Sequence, residues 1–191
     1  MLIAGTGFSQ HRTYLKAGLG ATTLQDFTDT PYPVQYSPIL SYQLGVGHRI
    51  PLTERLSLRG EVVYLTKGYT FSHYNADRVQ FHCIGLSVVG AVKLFDFLEL
   101  EGGLMPNRAL MISNQNGSFH NTPYRMGDLA LLVGAGIRLS DRISLAPTLQ
   151  YGLFRAAPTL ISFTDEDTNT LVNISLRQHH LQGMLSVRYM L

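Results

Sequence analysis

The chain has 191 residues, enough for one domain or at most two small ones; 45% of them are hydrophobic and only 15% are charged, against roughly 25% in an ordinary soluble domain. A formal net charge of +2, with no basic run and no aromatic RNA-binding motif, gives no footing for a nucleic-acid partner. No apolar run reaches the roughly 18 residues of a membrane-spanning helix, so a membrane protein of this composition has to cross with strands.

Taken in order, Met1–Gln10 reads as the tail of a secretory signal peptide or as a disordered lead-in, and residues 11–191 as one domain. Period-two alternation marks eight strands, at Thr13–Thr23, Ile39–Pro51, Arg55–Tyr69, Val79–Leu94, Phe97–Asn107, Met126–Leu139, Arg142–Phe154 and Ile174–Met190. The last is the clearest. Leu181, Gly183, Leu185, Val187, Tyr189 and Leu191 form one face of a ribbon, and His180, Gln182, Met184, Ser186, Arg188 and Met190 the other.

The connections follow a rhythm of their own. After the second, fourth and sixth strands the chain turns within a few residues, at Leu52-Thr53-Glu54, Phe95-Asp96 and Ser140-Asp141. After the first, third, fifth and seventh it runs through long polar segments, Leu24–Pro38, Thr70–Arg78, Arg108–Arg125 and Arg155–Asn173. Short turns at one end and long loops at the other are the layout of outer-membrane barrels. The short turns also resemble one another: Glu54-Arg55-Leu56-Ser57-Leu58, Asp96-Phe97-Leu98-Glu99-Leu100 and Asp141-Arg142-Ile143-Ser144-Leu145 recur at intervals of 42 and 45 residues. A hairpin repeated in this way describes an up-and-down meander.

The strand faces sort by charge. Lys16, Arg49, Arg59, Lys67, Lys93, Arg138 and Arg188 fall on the same faces as Glu61, Glu99, Glu101 and Asp128. The expected fold is therefore an all-β, eight-stranded, antiparallel up-and-down transmembrane β-barrel. Its lumen would be filled by a structural network of these eleven residues instead of forming a wide porin channel, because eight strands enclose only enough room for side chains. Tyr14, Tyr42, Tyr64, Tyr69, Phe81, Tyr124, Tyr151 and Tyr189 lie near strand ends, as an aromatic girdle would. Pro147 and His48 on lipid-facing positions are irregularities, the first because proline removes a ladder donor.

Three stretches carry a family resemblance. Arg55-Leu56-Ser57-Leu58 through Tyr64-Leu65-Thr66-Lys67-Gly68-Tyr69, Leu100-Glu101-Gly102-Gly103-Leu104-Met105-Pro106-Asn107, and Gly134 through Leu145 with Tyr151-Gly152-Leu153 resemble the PorT-type outer-membrane β-barrel family of Bacteroidetes. The pattern spans nearly the whole chain after residue 10. It departs from the family at Phe81-His82-Cys83-Ile84-Gly85, and the chain ends in Tyr189-Met190-Leu191 in place of a terminal Phe. The resemblance implies an integral protein of the bacterial outer membrane, with links to secretion or envelope machinery in some members.

Chemistry is sparse. There is no phosphate loop, HExxH, CxxC or Gly-x-Ser-x-Gly elbow, so no cofactor, metal or catalytic residue is expected. Cys83, the single cysteine, sits in an apolar-alternating strand and reads as a packed residue. His179-His180 would point to opposite faces, and Asp165-Glu166-Asp167 reads as a solvated loop tip more readily than as a Ca²⁺ site. The resulting expectation is a non-enzymatic anchor in contact with outer-membrane lipid. Partners from the envelope would bind its loops, Gln25–Tyr36 and Phe163–Asn169 first, or its periplasmic rim. Two alternatives stand beside it. One is an outer-rim enzyme acting on lipid A or peptides through His73 with Asp77, or His120 with Ser118. The other is a soluble lipocalin-like ligand-binding barrel with its faces reversed.

Overall fold

The computed structural model describes residues 12–26, 36–71, 78–114, 117–118, 127–154, 160–164, 171–175 and 178–191. Eight long strands build the barrel: β1 (Arg12–Asp26), β2 (Ile39–Pro51), β3 (Leu56–Phe71), β4 (Arg78–Phe95), β5 (Leu98–Asn114), β6 (Gly127–Arg138), β7 (Ile143–Gly152) and β8 (Gln178–Met190). Each pairs antiparallel with its neighbours in sequence, and β8 returns to β1, from Tyr14 opposite Met190 to Asp26 opposite Gln178. The sheet therefore closes, and no strand edge is left for solvent or lipid to solvate.

The repeated turns have a common local cause. Thr53 Oγ1 accepts from the amides of Arg55 at 3.2 Å and Leu56 at 2.9 Å. Ser140 Oγ does the same for Arg142 at 3.3 Å and Ile143 at 3.1 Å. A hydroxyl that caps the next amides fixes each turn, which is why the hydroxyl-acid-Arg-aliphatic pattern recurs. Asp96 and Phe97 make the third turn, between β4 and β5.

Alternation along each strand divides the side chains between two environments. Leu19, Leu40, Leu86, Val133 and Leu185 are more than half exposed on the outer wall, whereas Arg59, Glu61, Lys67, Glu101 and Arg188 are buried in the lumen. A water-soluble barrel needs the opposite arrangement, so the lipocalin-like alternative does not fit this molecule. The outer wall carries an apolar belt broken by aromatic and imidazole groups at its ends. Tyr42, Tyr64 and His82 lie together near the long-loop end, with the Tyr64 hydroxyl 2.6 Å from His82 Nδ1. Tyr151 stacks on His179 at 5.4 Å. Phe95 and Phe97 stack at 5.7 Å at the short-turn end, with Tyr189 also outward. His48, at the short-turn end, has its Nδ1 3.1 Å from Thr13 Oγ1.

Several expectations need correction. Tyr14, Tyr69 and Phe81 are buried lumen residues and take no part in a girdle, because each shares parity with a buried neighbour: Lys16, Lys67 and Cys83 respectively. Tyr124 lies outside the described residues. The fifth strand continues to Asn114, seven residues beyond the expected end. Its register shifts where His82 faces Met111 and Cys83 faces Ala109, so Leu110 is an extra residue. That bulge puts Leu110 and Met111 both outward before Ile112 returns to the lumen, and a period-two reading stops at such a break. Residues Leu171–Ser175 pair with Leu160–Thr164 in a separate hairpin, so the eighth barrel strand starts only at Gln178. Opposite Pro147 the β6–β7 register passes from Gly134–Thr148 directly to Ile137–Leu145, an interruption where the missing donor would have paired.

The lumen is packed closely enough to require particular glycines. A Cβ on Gly47 would lie 2.4 Å from Cζ of the Tyr14 ring, and one on Gly68, whose φ is 158°, would lie 2.2 Å from the Val79 carbonyl oxygen. Gly47→Val should cost about 1–3 kcal/mol through overpacking, because Tyr14 is anchored and cannot swing away. The expected readout is a lower urea midpoint for unfolding in detergent; an unchanged midpoint would show that the ring moves freely.

Candidate functional site: the charged lumen

Strand parity brings charged residues from β1, β2, β3, β5 and β8 to one level of the lumen, near the short-turn end. Three carboxylates organise them. Glu61 accepts from Lys16 Nζ at 2.8 Å, from the Tyr14 hydroxyl at 2.6 Å and from Ser87 Oγ at 3.0 Å. Glu101 receives both terminal nitrogens of Arg188 at 2.6 Å, and Arg59 Nη1 at 2.5 Å. Glu99 takes Arg49 Nη2 at 2.6 Å and the second terminal nitrogen of Arg59. Arg188 also lies 5.9 Å from the centre of the Tyr14 ring and 3.9 Å from Glu61, joining the Glu61 and Glu101 groups. Arginine suits this position because its planar fork binds a carboxylate with two parallel hydrogen bonds.

A second pair stands toward the long loops, where Lys67 donates to Asp128 at 3.1 Å and Asp128 also accepts the Phe154 amide at 3.3 Å. Of the eleven charged residues singled out from sequence, Lys16, Arg49, Arg59, Glu61, Glu99, Glu101 and Arg188 form one cluster, and Lys67 with Asp128 a separate pair. The remaining two stand at the mouth. Lys93 pairs with Asp96 in the turn at 2.6 Å and draws that carboxyl below the usual carboxylate range, while Arg138 is exposed. Arg138 lies outside the sealed network because β6 ends there, where the strand reaches the turn.

The alternation of the last strand puts Gln182 and Ser186 on its polar face, but sequence reasoning missed the neutral network they join. Ser41 donates to the Thr66 carbonyl; Gln182 Nε2 donates to Ser41 Oγ at 2.5 Å and to the same carbonyl at 3.0 Å; and Gln43 Nε2 donates to Ser186 at 2.5 Å. These residues link β2, β3 and β8 above the charged cluster. Further up, Val63, Leu65, Cys83, Met105 and Leu132 fill the interior with Tyr69 and Phe81. Phe81 meets His180 edge-on at 5.4 Å, and Tyr36 meets Tyr69 at 5.2 Å. Parity was the usable signal: Tyr14 is two residues from Lys16, and Tyr69 is two from Lys67.

This geometry has counterparts among solved structures. The chain aligns over 93% of its length with 96% of Neisserial surface protein A, at 13% identity and a TM-score of 0.56. It aligns over 95% of its length with 99% of Ail, the attachment invasion locus protein of Yersinia pestis, at 11% identity and a TM-score of 0.53. The chain has the fold of a bacterial outer-membrane β-barrel. No family model and no curated protein matches the sequence. Identities this low carry the architecture and nothing finer. An apolar wall around a charged lumen is the arrangement of an integral membrane barrel.

Among the described residues no three His, Cys, Asp or Glu side chains gather as metal ligands. Cys83 is buried among apolar side chains. His73, Asp77, His120 and the Asp165-Glu166-Asp167 run lie outside the described residues, as do Met1–Gln10 and most of Gln25–Tyr36 and Phe163–Asn169.

The network is interlocked, so its members should respond together. Arg188→Met takes two of the three donors from buried Glu101 and leaves it Arg59 alone, and stability should fall by up to about 3–5 kcal/mol. Adding Glu101→Leu removes the under-paired carboxylate and should recover part of that loss, giving a coupling energy above about 1 kcal/mol in a double-mutant cycle. Strictly additive effects on the unfolding midpoint would show that the pair is not coupled.

Proposed function

We propose that this chain is a PorT-type outer-membrane barrel that serves as a non-enzymatic anchor. Its long loops or its short-turn rim bind partners of the cell envelope, secretion machinery among them. The observation that carries this reading is the filled lumen. The lower half is taken up by the Glu61–Glu99–Glu101 network, and the upper half by Leu65, Met105, Tyr69 and Phe81. A barrel whose interior is occupied in this way leaves its ends to do the recognition, and loops on a rigid scaffold are well suited to it. The turn-and-strand motif from Arg55 to Tyr69 supports the family reading. In barrels of this layout the short turns face the periplasm and the long loops face outward, which assigns the two ends.

The enzyme alternative has less behind it. It needs a nucleophile, a base and an orienting group converging at the outer rim, and the carboxylates Glu61 and Glu101 of the lumen are engaged in structural pairing. The test is to express the chain behind a functional signal peptide, isolate outer membranes and compare electrophoretic mobility with and without boiling. A heat-dependent shift in the outer-membrane fraction is expected. Replacing Phe163–Asn169 or Gln25–Tyr36 with a short Gly-Ser turn should preserve the shift and abolish crosslinks to envelope partners. Crosslinks that survive both replacements, and also substitution of the turn residues, would remove the anchor reading.

A further inference from the structure

The short-turn end of the lumen opens into a cavity of about 680 Å³. Its wall is cationic. Arg12, Arg49, Arg59, Lys93, Arg138 and Arg188 reach it from six different strands, so positive groups surround the space instead of lining one side. The acidic residues on the wall are fewer: Glu54 and Asp141 sit on the exposed turns, where water screens them, and Asp96 is paired with Lys93. Glu99 alone is deep, and both of its oxygens are already taken by Arg49 and Arg59.

The charge count beneath the cavity points the same way. The cluster holds four cations, Lys16, Arg49, Arg59 and Arg188, against three carboxylates, Glu61, Glu99 and Glu101, with Arg49 partly exposed where it borders the cavity. Donors are left over as well. Arg59 Nε is fully buried without a hydrogen-bond partner, although Arg59 itself is only 2% exposed. At the mouth Arg12 Nη1 donates to the Asp141 carbonyl at 3.3 Å, and none of the ion pairs found among the described residues involves Arg12 or Arg138. An excess of cations at this end of the lumen is costly, and one anion entering from the turn end offsets it; Arg59 Nε, closed off from the cavity, takes no part in that contact.

We propose that this vestibule binds a phosphate group, as free phosphate or as a small phosphate monoester, from the periplasmic side. Guanidinium and ammonium donors converging from all sides suit a tetrahedral oxyanion, which offers acceptors in several directions, better than a planar carboxylate. The volume leaves room for a small organic group beyond the phosphate. The site lies in the barrel's own lumen and does not depend on whether the loops recognise a partner.

The test uses the full chain, folded in a phosphate-free maltoside detergent with chloride as the only other anion and checked for its heat-dependent mobility. Inorganic phosphate and glycerol phosphate are titrated separately by calorimetry. Saturable binding of either is expected, with tighter binding of glycerol phosphate assigning a monoester and binding of inorganic phosphate alone assigning the free ion. Two exposed variants, neither expected to disturb folding, should move affinity in opposite directions. Arg138→Gln should weaken binding about tenfold, the scale of one charge-assisted hydrogen bond. Asp96→Asn should tighten it several-fold by releasing Lys93 from its partner. Absence of saturable binding to the folded protein, or affinities unchanged in both variants, would overturn the proposal.

Discussion

Closure of the sheet is the constraint on which everything else depends. In hydrocarbon no water is available to satisfy a bare backbone amide, so a strand protein can cross only if its first and last strands pair. Here β8 runs beside β1 along almost its whole length. Closing eight strands fixes the radius, and the radius fixes what the interior can hold. Side chains of ordinary size fill it, and every inward position becomes a buried one whether the residue there is valine or arginine.

That geometry explains why the charges had to be organised as they are. A lysine or glutamate that faces the lumen of so narrow a barrel loses most of its water and must regain hydrogen bonds from protein. The chain meets this with carboxylates that each accept from several donors: Glu61 from Lys16, Tyr14 and Ser87, and Glu101 from Arg188 and Arg59. The tyrosine is part of that solution. Its hydroxyl satisfies a carboxylate while its ring lies beside Arg188, and Gly47 supplies the space it occupies. The polar interior holds strands together that are far apart in sequence, which an apolar filling would do with less specificity of register.

The two ends of the barrel are built differently. At the long-loop end the interior is aromatic and aliphatic, with Tyr69, Phe81, Val79 and Ile112 buried. At the short-turn end it is charged and opens into a basin. The large charged cluster lies in the short-turn half, whereas the long-loop half combines its apolar filling with the Lys67–Asp128 pair. The scaffold therefore presents two distinct settings: long polar connections at one end, and a compact cationic basin at the other.

The strands, their order, the hairpin repeat and the identity of the charged face could all be read from sequence, because one constraint writes them. A side chain that alternates between lipid and lumen leaves a period of two in the residues, and Leu181–Leu191 shows it without a break. Where that period slips, legibility ended: the bulge at Leu110 hid the last turn of β5, and the hairpin of Leu160–Thr164 with Leu171–Ser175 was concealed in a polar segment. Parity could say that Arg59, Glu99, Glu101 and Arg188 face inward, but not which of them meet. That depends on stagger around the closed barrel, which brings Arg188 of the last strand to Glu101 of the fifth and leaves Arg138 at the rim. The sequence by itself determined which side of the wall each residue occupies. Only closure in three dimensions decided its height and its partners, because strand register around a ring is set by all eight pairings at once.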